Sequence, residues 1–583
     1  MNTDNYDFDK SSIPQDLDYT PFTDKQTNSY INDQNSGVYS ATQSLLSWDL
    51  SSLYNSSRWT NTNDMFLTIP ITMVFATSVA GAAPNVAPPT AGWALQTLKS
   101  GYHNLIAQAD IQIDGKTISE TQPFLGTFTN IKLLSELSQN DLKSIGTTIG
   151  LSDVLDTASS AIWNPTITAT NLTNGNGFTN NKVFGTTTQT AGAPSQNTGL
   201  CNEAINKRAL KVVDTTKLGR SNIVGTNGIY TDGDKLRNEF KSTYQVVPVG
   251  ANPRYGIIYD VAIIRLKDLF DCMNNIGIVK RFNGVLRLYV NTGSLYIGAN
   301  AAGSAALPNP SYSFSVNNST FNNVCPFTIN DLNLVDVAAG GFGVTQTQIS
   351  AGLFISKALQ TNLNGVNLAD SGASHPMTAA RLYYSSIVMD PERALTYSRS
   401  NQAKNVVFKN YYFNQINAVG FGNTYSQLIQ SGITNPYALI VVPYIGSTNT
   451  GMSGYQWQSP FDTCPATGAP IVLENLQVTL GGQQVLNSPY NYGFEDFVTQ
   501  FSNAESLSSS DFGVSCGVVS KEWWEANRIY YINLSRGTKA DQITPRNVVL
   551  SFKNATNISI DVQVFTVYLD RIVLNVDTGA VTR

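Results

Sequence analysis

The chain has 583 residues, with 36 Lys and Arg against 41 Asp and Glu, a formal charge of −5. Charged residues make up 13% of it, about half the usual ~25%, which excludes a binder that neutralises phosphates with a surplus of Lys and Arg. The 58 Asn, 27 Tyr and 26 Phe and the 42% apolar content exclude a disordered or helix-rich chain and fit two or more domains of strands joined by long polar loops.

The first ten residues are acidic and polar, and no secretory signal is visible. Residues 1–40 read as an arm that orders only against a neighbour, because Tyr6, Phe8, Tyr19, Phe22 and Tyr30 follow no period. Strand signals begin at 43–50 and 66–75; the apolar stretch 65–84 is broken by Thr68, Pro70 and Thr72 and alternates like a strand, unlike a bilayer helix. Ile111, Ile113 and Ile118 flank the turn dipeptide Asp114-Gly115, which predicts a hairpin. Phe128, Ile131, Leu134 and Leu137 recur at helical steps and predict a helix over 124–137, and a second over 140–151 begins at a capping Asn140. Residues 163–244 are turn-rich and weakly charged, too long for a simple connection, and read as a projecting excursion.

Strands resume at 255–266 and 285–291, with a short helix between them at 267–276. The C-terminal part then offers strands at 405–419, 438–445, 472–486 around Gly481-Gly482, 527–534, 547–553 and 561–576, with a helix at 494–501. The two halves therefore repeat one order of elements, about 365 to 370 positions apart up to the hairpins and about 270 apart at the later aromatic strands. Eight-stranded antiparallel sandwiches with a helix after the fourth strand and long end loops are jelly rolls. The fold class expected is all-β: two tandem eight-stranded antiparallel jelly rolls with short helices and long loops. The expected division is an arm at 1–40, a first jelly roll at 41–375 with the excursion at 163–244, and a second jelly roll at 380–583.

Chemistry is thinly supplied. His103 and His375 are the two histidines, and Cys201, Cys272, Cys325, Cys464 and Cys516 are too scattered for a zinc site or disulfide framework, so reduced thiols are expected. Residues 513–517 fit GxSxG with Ser515 as the nucleophile, but that arrangement takes its His later in the chain, and both histidines come earlier. Glu495/Asp496 and Glu522/Glu525 sit too close in sequence to flank a sugar and read as solvated helix ends. Trp523-Trp524 reads as a packing anchor beside the strand at Tyr530. No catalytic, cofactor-binding or metal-ligating residue is assigned, and the chain is not expected to be an enzyme.

Several strings carry a resemblance. Leu53-Tyr54-Asn55-Ser56-Ser57-Arg58-Trp59 before Leu67-Thr68-Ile69-Pro70, Tyr259-Asp260-Val261-Ala262-Ile263-Ile264-Arg265, Ile529-Tyr530-Tyr531-Ile532-Asn533-Leu534-Ser535-Arg536-Gly537 and the final Val564-Phe565-Thr566-Val567-Tyr568-Leu569-Asp570 are the segments concerned. In this order they resemble double jelly-roll major capsid proteins of polinton-like viruses and virophages, a lineage shared with adenoviruses and tailless phages. The resemblance implies a homotrimeric, pseudo-hexameric capsomer tiled into an icosahedral shell of a DNA virus, assembled inside the host cell. Its implied partners are further copies of itself, with penton and minor capsid proteins, and no sequence-specific nucleic acid. Tyr411, Tyr412, Phe413, Trp523 and Trp524 are expected to be available for burial between copies. Two other classes compete: an all-β protein that binds or cleaves carbohydrate, needing an aromatic cleft with paired carboxylates, and a receptor-binding spike or adhesin, which would bring a secretion signal or fibre repeat.

Overall fold

Alternation of apolar and polar side chains sets the strands. In Gly284–Val290 every second residue is buried, with Leu286, Leu288 and Val290 fully enclosed, and Arg546–Asn554 repeats the pattern with Val548, Leu550 and Phe552. A computed structural model describes residues 23–39, 45–54, 58–79, 97–119, 123–146, 148–151, 243–249, 252–301, 312–317, 326–328, 346–356, 362–363, 366–367, 377, 379–445, 471–486, 491–504, 519, 521–526, 528–535, 544–556 and 559–582. The bulk of the expected excursion at 163–244, and Ser515 and His375, lie outside these residues.

In chain order the first half opens with β1 (Thr23–Asn32), β2 (Leu45–Asp49), β3 (Trp59–Asn61), β4 (Phe66–Val79), β5 (Thr97–Leu98), β6 (Ile106–Ile113), β7 (Lys116–Ser119) and helix α1 (Leu125–Glu136). It continues through β8 (Thr243–Val249), β9 (Asn252–Arg265), helices α2 (Leu266–Leu269) and α3 (Asp271–Ile276), β10 (Ile278–Lys280) and β11 (Gly284–Val290). After these come β12 (Gly293–Ala301), β13 (Tyr312–Asn317), β14 (Phe327–Thr328), β15 (Gln346–Ile355), β16 (Asn362–Leu363), β17 (Val366–Asn367) and β18 (Arg381–Met389). Helix α4 (Pro391–Ser400) leads to the second half: β19 (Lys404–Val419), β20 (Thr424–Ile433), β21 (Pro436–Ile445), β22 (Leu473–Leu480), β23 (Gln483–Gln484), helices α5 (Phe494–Ala504) and α6 (Lys521–Ala526), β24 (Tyr530–Asn533), β25 (Arg546–Asn554), β26 (Ile560–Leu574) and β27 (Val581–Thr582).

The second half shows the topology in its simplest form. Its eight main strands, β19 to β26, pair antiparallel as β19-β26-β21-β24 and β20-β25-β22-β23. Numbered one to eight, that is 1-8-3-6 facing 2-7-4-5, the two-sheet wrap of a jelly roll. The first half repeats it with β1-β18-β4-β9 facing β2-β11-β6-β7. The fold is thus two tandem antiparallel jelly rolls. Each hairpin between fourth and fifth strands turns where expected: Asp114 and Gly115 have φ of 51° and 72°, Gly481 and Gly482 of 59° and 86°. Positive φ at both central residues is the twist-matched two-residue turn. The helix follows the fifth strand and not the fourth, because the short β7 and β23 complete these hairpins first.

Three details depart from the sequence reading. Part of the expected arm is a sheet strand: β1 pairs with β18 from Thr23↔Met389 to Asn32↔Arg381. The pairing also counts β18 among the strands of the first jelly roll, just beyond the expected start of the second at 380. The helix expected over 140–151 is a short turn at Gln139–Asp141 followed by a wider turn at Leu142–Gly146.

The first jelly roll also carries an insertion between its seventh and eighth strands. There β12 pairs with β13 and β15, and β15 pairs with the far half of β4, from Ile71 to Val79. Pro70 sits where β4 changes partner from β18, which ends at Thr68, to β15, which begins at Ile71. A residue without an N–H is tolerated at that gap, and its carbonyl still accepts from the Ser356 N–H at 2.8 Å. One continuous core of buried apolar residues runs through both jelly rolls, from Leu46 and Trp48 to Phe565 and Leu574.

Candidate assembly interface

Some of the groups that sequence reading weighed for chemistry lie among the described residues. His103 is buried, with its ring Nε2 and Asn130 Oδ1 at 2.8 Å, and burial pulls its pKa down to about 4. Glu495 projects into solvent near Lys521, whereas Asp496 accepts the Gly493 N–H at 2.9 Å and caps α5. The side chains of Glu522 and Glu525 lie outside the described residues. Trp523 and Trp524 are each 1% exposed. Trp524 donates its indole N–H to Ile529 O at 2.7 Å and meets the rings of Tyr492, Phe497 and Tyr530, as a packing anchor should. Cys272 is buried, and its thiol is pushed up to about 12 by burial and by neighbouring Asp271. No helix among the described residues is long and apolar enough to cross a membrane.

What the chain builds with care is the joint between its two jelly rolls. In β19, β26 and β21 the residues Phe413, Phe565 and Ile440 share one row. Farther along the same side of the sheet, Val407 and Arg571 reach solvent, so this is the outer face of the second jelly roll. Helix α1 of the first jelly roll and the residue before it lay two rings on that face. Phe124 lies 4.5 Å from Phe413, and Phe128 lies 4.2 Å from Tyr411 and 6.1 Å from Phe565. Phe124 reaches across from a left-handed backbone, φ 60°, at the residue before the helix.

Beside the rings, α3 covers the edge of β19. Asp271 accepts the Lys409 N–H and Asn275 donates to the Val407 carbonyl, both at 2.8 Å, and Lys404 Nζ donates to the Ile276 carbonyl at 2.6 Å. Two ladder groups on the free edge of β19, the Lys409 N–H and the Val407 carbonyl, are thereby satisfied, and α3 blocks further pairing there. Asp271 also pairs with Lys132 of α1 at 3.2 Å. Burial works against both charges. For Lys132 the carboxylates of Asp271, Glu136 and Asp268 outweigh it and hold the ammonium above the ordinary lysine range. For Asp271, Lys132 and the Lys409 N–H hold the carboxyl below the usual range. A cavity of about 40 Å³, room for a few waters, remains between Leu125, Phe128, Lys132, Cys272, Tyr411 and Phe501. At the far side Asp114, in the hairpin turn of the first jelly roll, accepts the Val581 N–H of β27 at 3.0 Å.

The expectation that Tyr411, Phe413, Trp523 and Trp524 serve contacts between copies is corrected by this geometry. Tyr411 and Phe413 are used within the chain at the joint, and both tryptophans are used inside the second jelly roll. A cross-domain face and a cross-copy face have the same composition, so residue type could not separate them.

No family model matches the chain, and no curated protein matches it. Solved structures do. A chain of the Sputnik virophage, determined by cryo-EM at 3.5 Å, matches over 97% of this chain and 89% of its own, at 10% identity and a TM-score of 0.50. The Faustovirus major capsid protein matches over 97% and 93%, at 11% identity and a TM-score of 0.42. A PBCV-1 virus capsid model matches over 97% and 98%, at 9% identity and a TM-score of 0.35. At such identities the likeness is one of fold, and the Sputnik chain carries it.

Lys132, Asp271, Asn275 and Lys404 were not singled out in the sequence. Their partners lie more than a hundred positions away, and no local pattern marks a side chain that caps a distant strand edge.

Proposed function

We propose that this chain is the major capsid protein of an icosahedral virus, a structural protein of the virion that trimerises into pseudo-hexameric capsomers. The observation that carries this reading is that one chain holds two equivalent jelly rolls fixed side by side by a buried joint. Three such chains in a ring offer six similar blocks, which tile a near-hexagonal lattice. The shared fold with a virophage chain over nearly the whole length supports it. We take residues 23–389 as the first block and 404–582 as the second, because the sheet pairings close within those limits, with α4 as the link. The excursion at 163–244 is read as an outward tower; in support, its described end, β8, pairs with β9 beside the strands that prolong the first jelly roll. Penton and minor capsid proteins are the further partners, and no catalytic function is assigned.

Electron microscopy of the expressed chain tests the reading. Three-fold particles of hexagonal outline, or closed shells, are expected. A uniform population of single chains, or a hydrolase activity lost in Ser515→Ala, would replace the capsid reading with another.

A further inference from the structure

The two jelly rolls present the same three strands to their surroundings, β19-β26-β21 in the second and β1-β18-β4 in the first. In the second, the outer face of these strands is covered by α1 of the first. In the first, Ile31, Leu382 and Leu67 face the core, so their neighbours Tyr30, Tyr383 and Phe66 form a row on the outer face. Tyr383 stacks on Phe66 at 4.9 Å and tilts against Tyr30 at 5.6 Å, and the Arg381 guanidinium lies 4.6 Å from the Tyr30 ring. Tyr30 is 51% exposed; Arg381 is half-buried, its Nη1 donating to the Tyr383 hydroxyl at 3.5 Å while its enclosed Nε meets no acceptor among the described residues. An aromatic ladder topped by an arginine is the make-up of an interface centre left open.

The repeat also names what fits there. Helix α1 lies between the fifth and sixth strands of the first jelly roll and is buried along most of its length. Helix α5 holds the same place in the second, yet it turns Thr499 and the 81% exposed Glu495 side chain to solvent. The half-buried Arg381 on the one face and the exposed Glu495 on the helix, with Lys521 3.9 Å from its carboxylate, bring opposite charges to the two surfaces.

We propose that the outer face of β1, β18 and β4, with Tyr30, Tyr383, Phe66 and Arg381, docks the α5 end of the second jelly roll of another copy of this chain. The proposal rests on the capsid reading and specifies the contact it needs. The two surfaces differ, so the association is head to tail and closes into a ring when three copies have each contributed two blocks.

A photo-crosslinking amino acid at position 30 of the full chain tests it. Crosslinks are expected between copies, to peptides that include residues 491–504. Crosslinks to other regions, or none in a sample that forms trimers, would overturn the proposed contact and leave the capsid reading standing. The paired variant Arg381→Glu with Tyr383→Asp should raise the concentration at which the trimer dissociates by about tenfold or more, with the circular dichroism of the single chain unchanged and its thermal unfolding lowered by only a few degrees. An unchanged dissociation concentration would also overturn it. A wild-type chain that stays single would remove the capsid reading and the contact together.

Discussion

The outer faces of the two jelly rolls differ although the strands beneath them are equivalent. Across β19, β26 and β21 the face is buried under Phe124 and Phe128; across β1, β18 and β4 it holds a tyrosine half exposed to water. Strand order alone therefore does not decide what a sheet face becomes. The neighbouring block decides it, and the chain supplies that block once, for the second jelly roll.

The sharpest way to break this comparison is to truncate one ring on each face. Phe565→Ala should cost about 3–5 kcal/mol of stability in denaturant unfolding, since the side chain is fully buried among three other rings. Tyr383→Ala should cost the single chain about 1 kcal/mol, as partly exposed positions usually do. Equal losses would mean that the two faces are equally covered.

The charged part of the joint gives the next effect. Lys132→Met leaves Asp271 buried beside an uncharged neighbour and should cost about 3–5 kcal/mol, while adding Asp271→Leu should recover much of the loss. Unfolding of the single and double variants measures the difference. A double variant weaker than the single one would show that the Lys409 N–H needs Asp271 more than the ion pair does.

Acid provides a third test. His103 has a folded pKa of about 4 against an ordinary 6.5, so the unfolded chain binds a proton first as pH falls. Its contribution is fully present above pH 6.5 and is lost as pH falls through 4, a total of about 3 kcal/mol. Asp271, whose pKa is also lowered, loses its contribution in the same direction at still lower pH. His103→Gln should flatten the stability profile between pH 6.5 and 4; an unchanged slope would place the acid sensitivity elsewhere. The smallest effect belongs to the link. Asp390 caps α4 by accepting the Arg393 N–H at 3.2 Å, and because α4 buries none of its residues, Asp390→Ala should cost about 1 kcal/mol in the same unfolding measurement.

Much of the scaffold was legible because local chemistry fixes it. Asp114-Gly115 and Gly481-Gly482 demand positive φ, and the hairpins formed around them. Phe128, Ile131 and Leu134 share one side of a real helix. Strand β18 was missed because its neighbours Pro376 and Pro391 suggested a linker, and its two faces meet different surroundings. The strands β12, β13 and β15 were missed because Gly, Ala, Ser and Asn give little alternation to read. The joint was illegible for another reason: Lys132 and Asp271 meet only when α1 packs on α3 within the first block, and Asn275 and Val407 only once both blocks have folded.

The most direct test is the native mass of the full chain at micromolar concentration. The account predicts a species near three times 63.2 kDa, or larger assemblies built from it. A stable single chain of 63.2 kDa under the same conditions would contradict it.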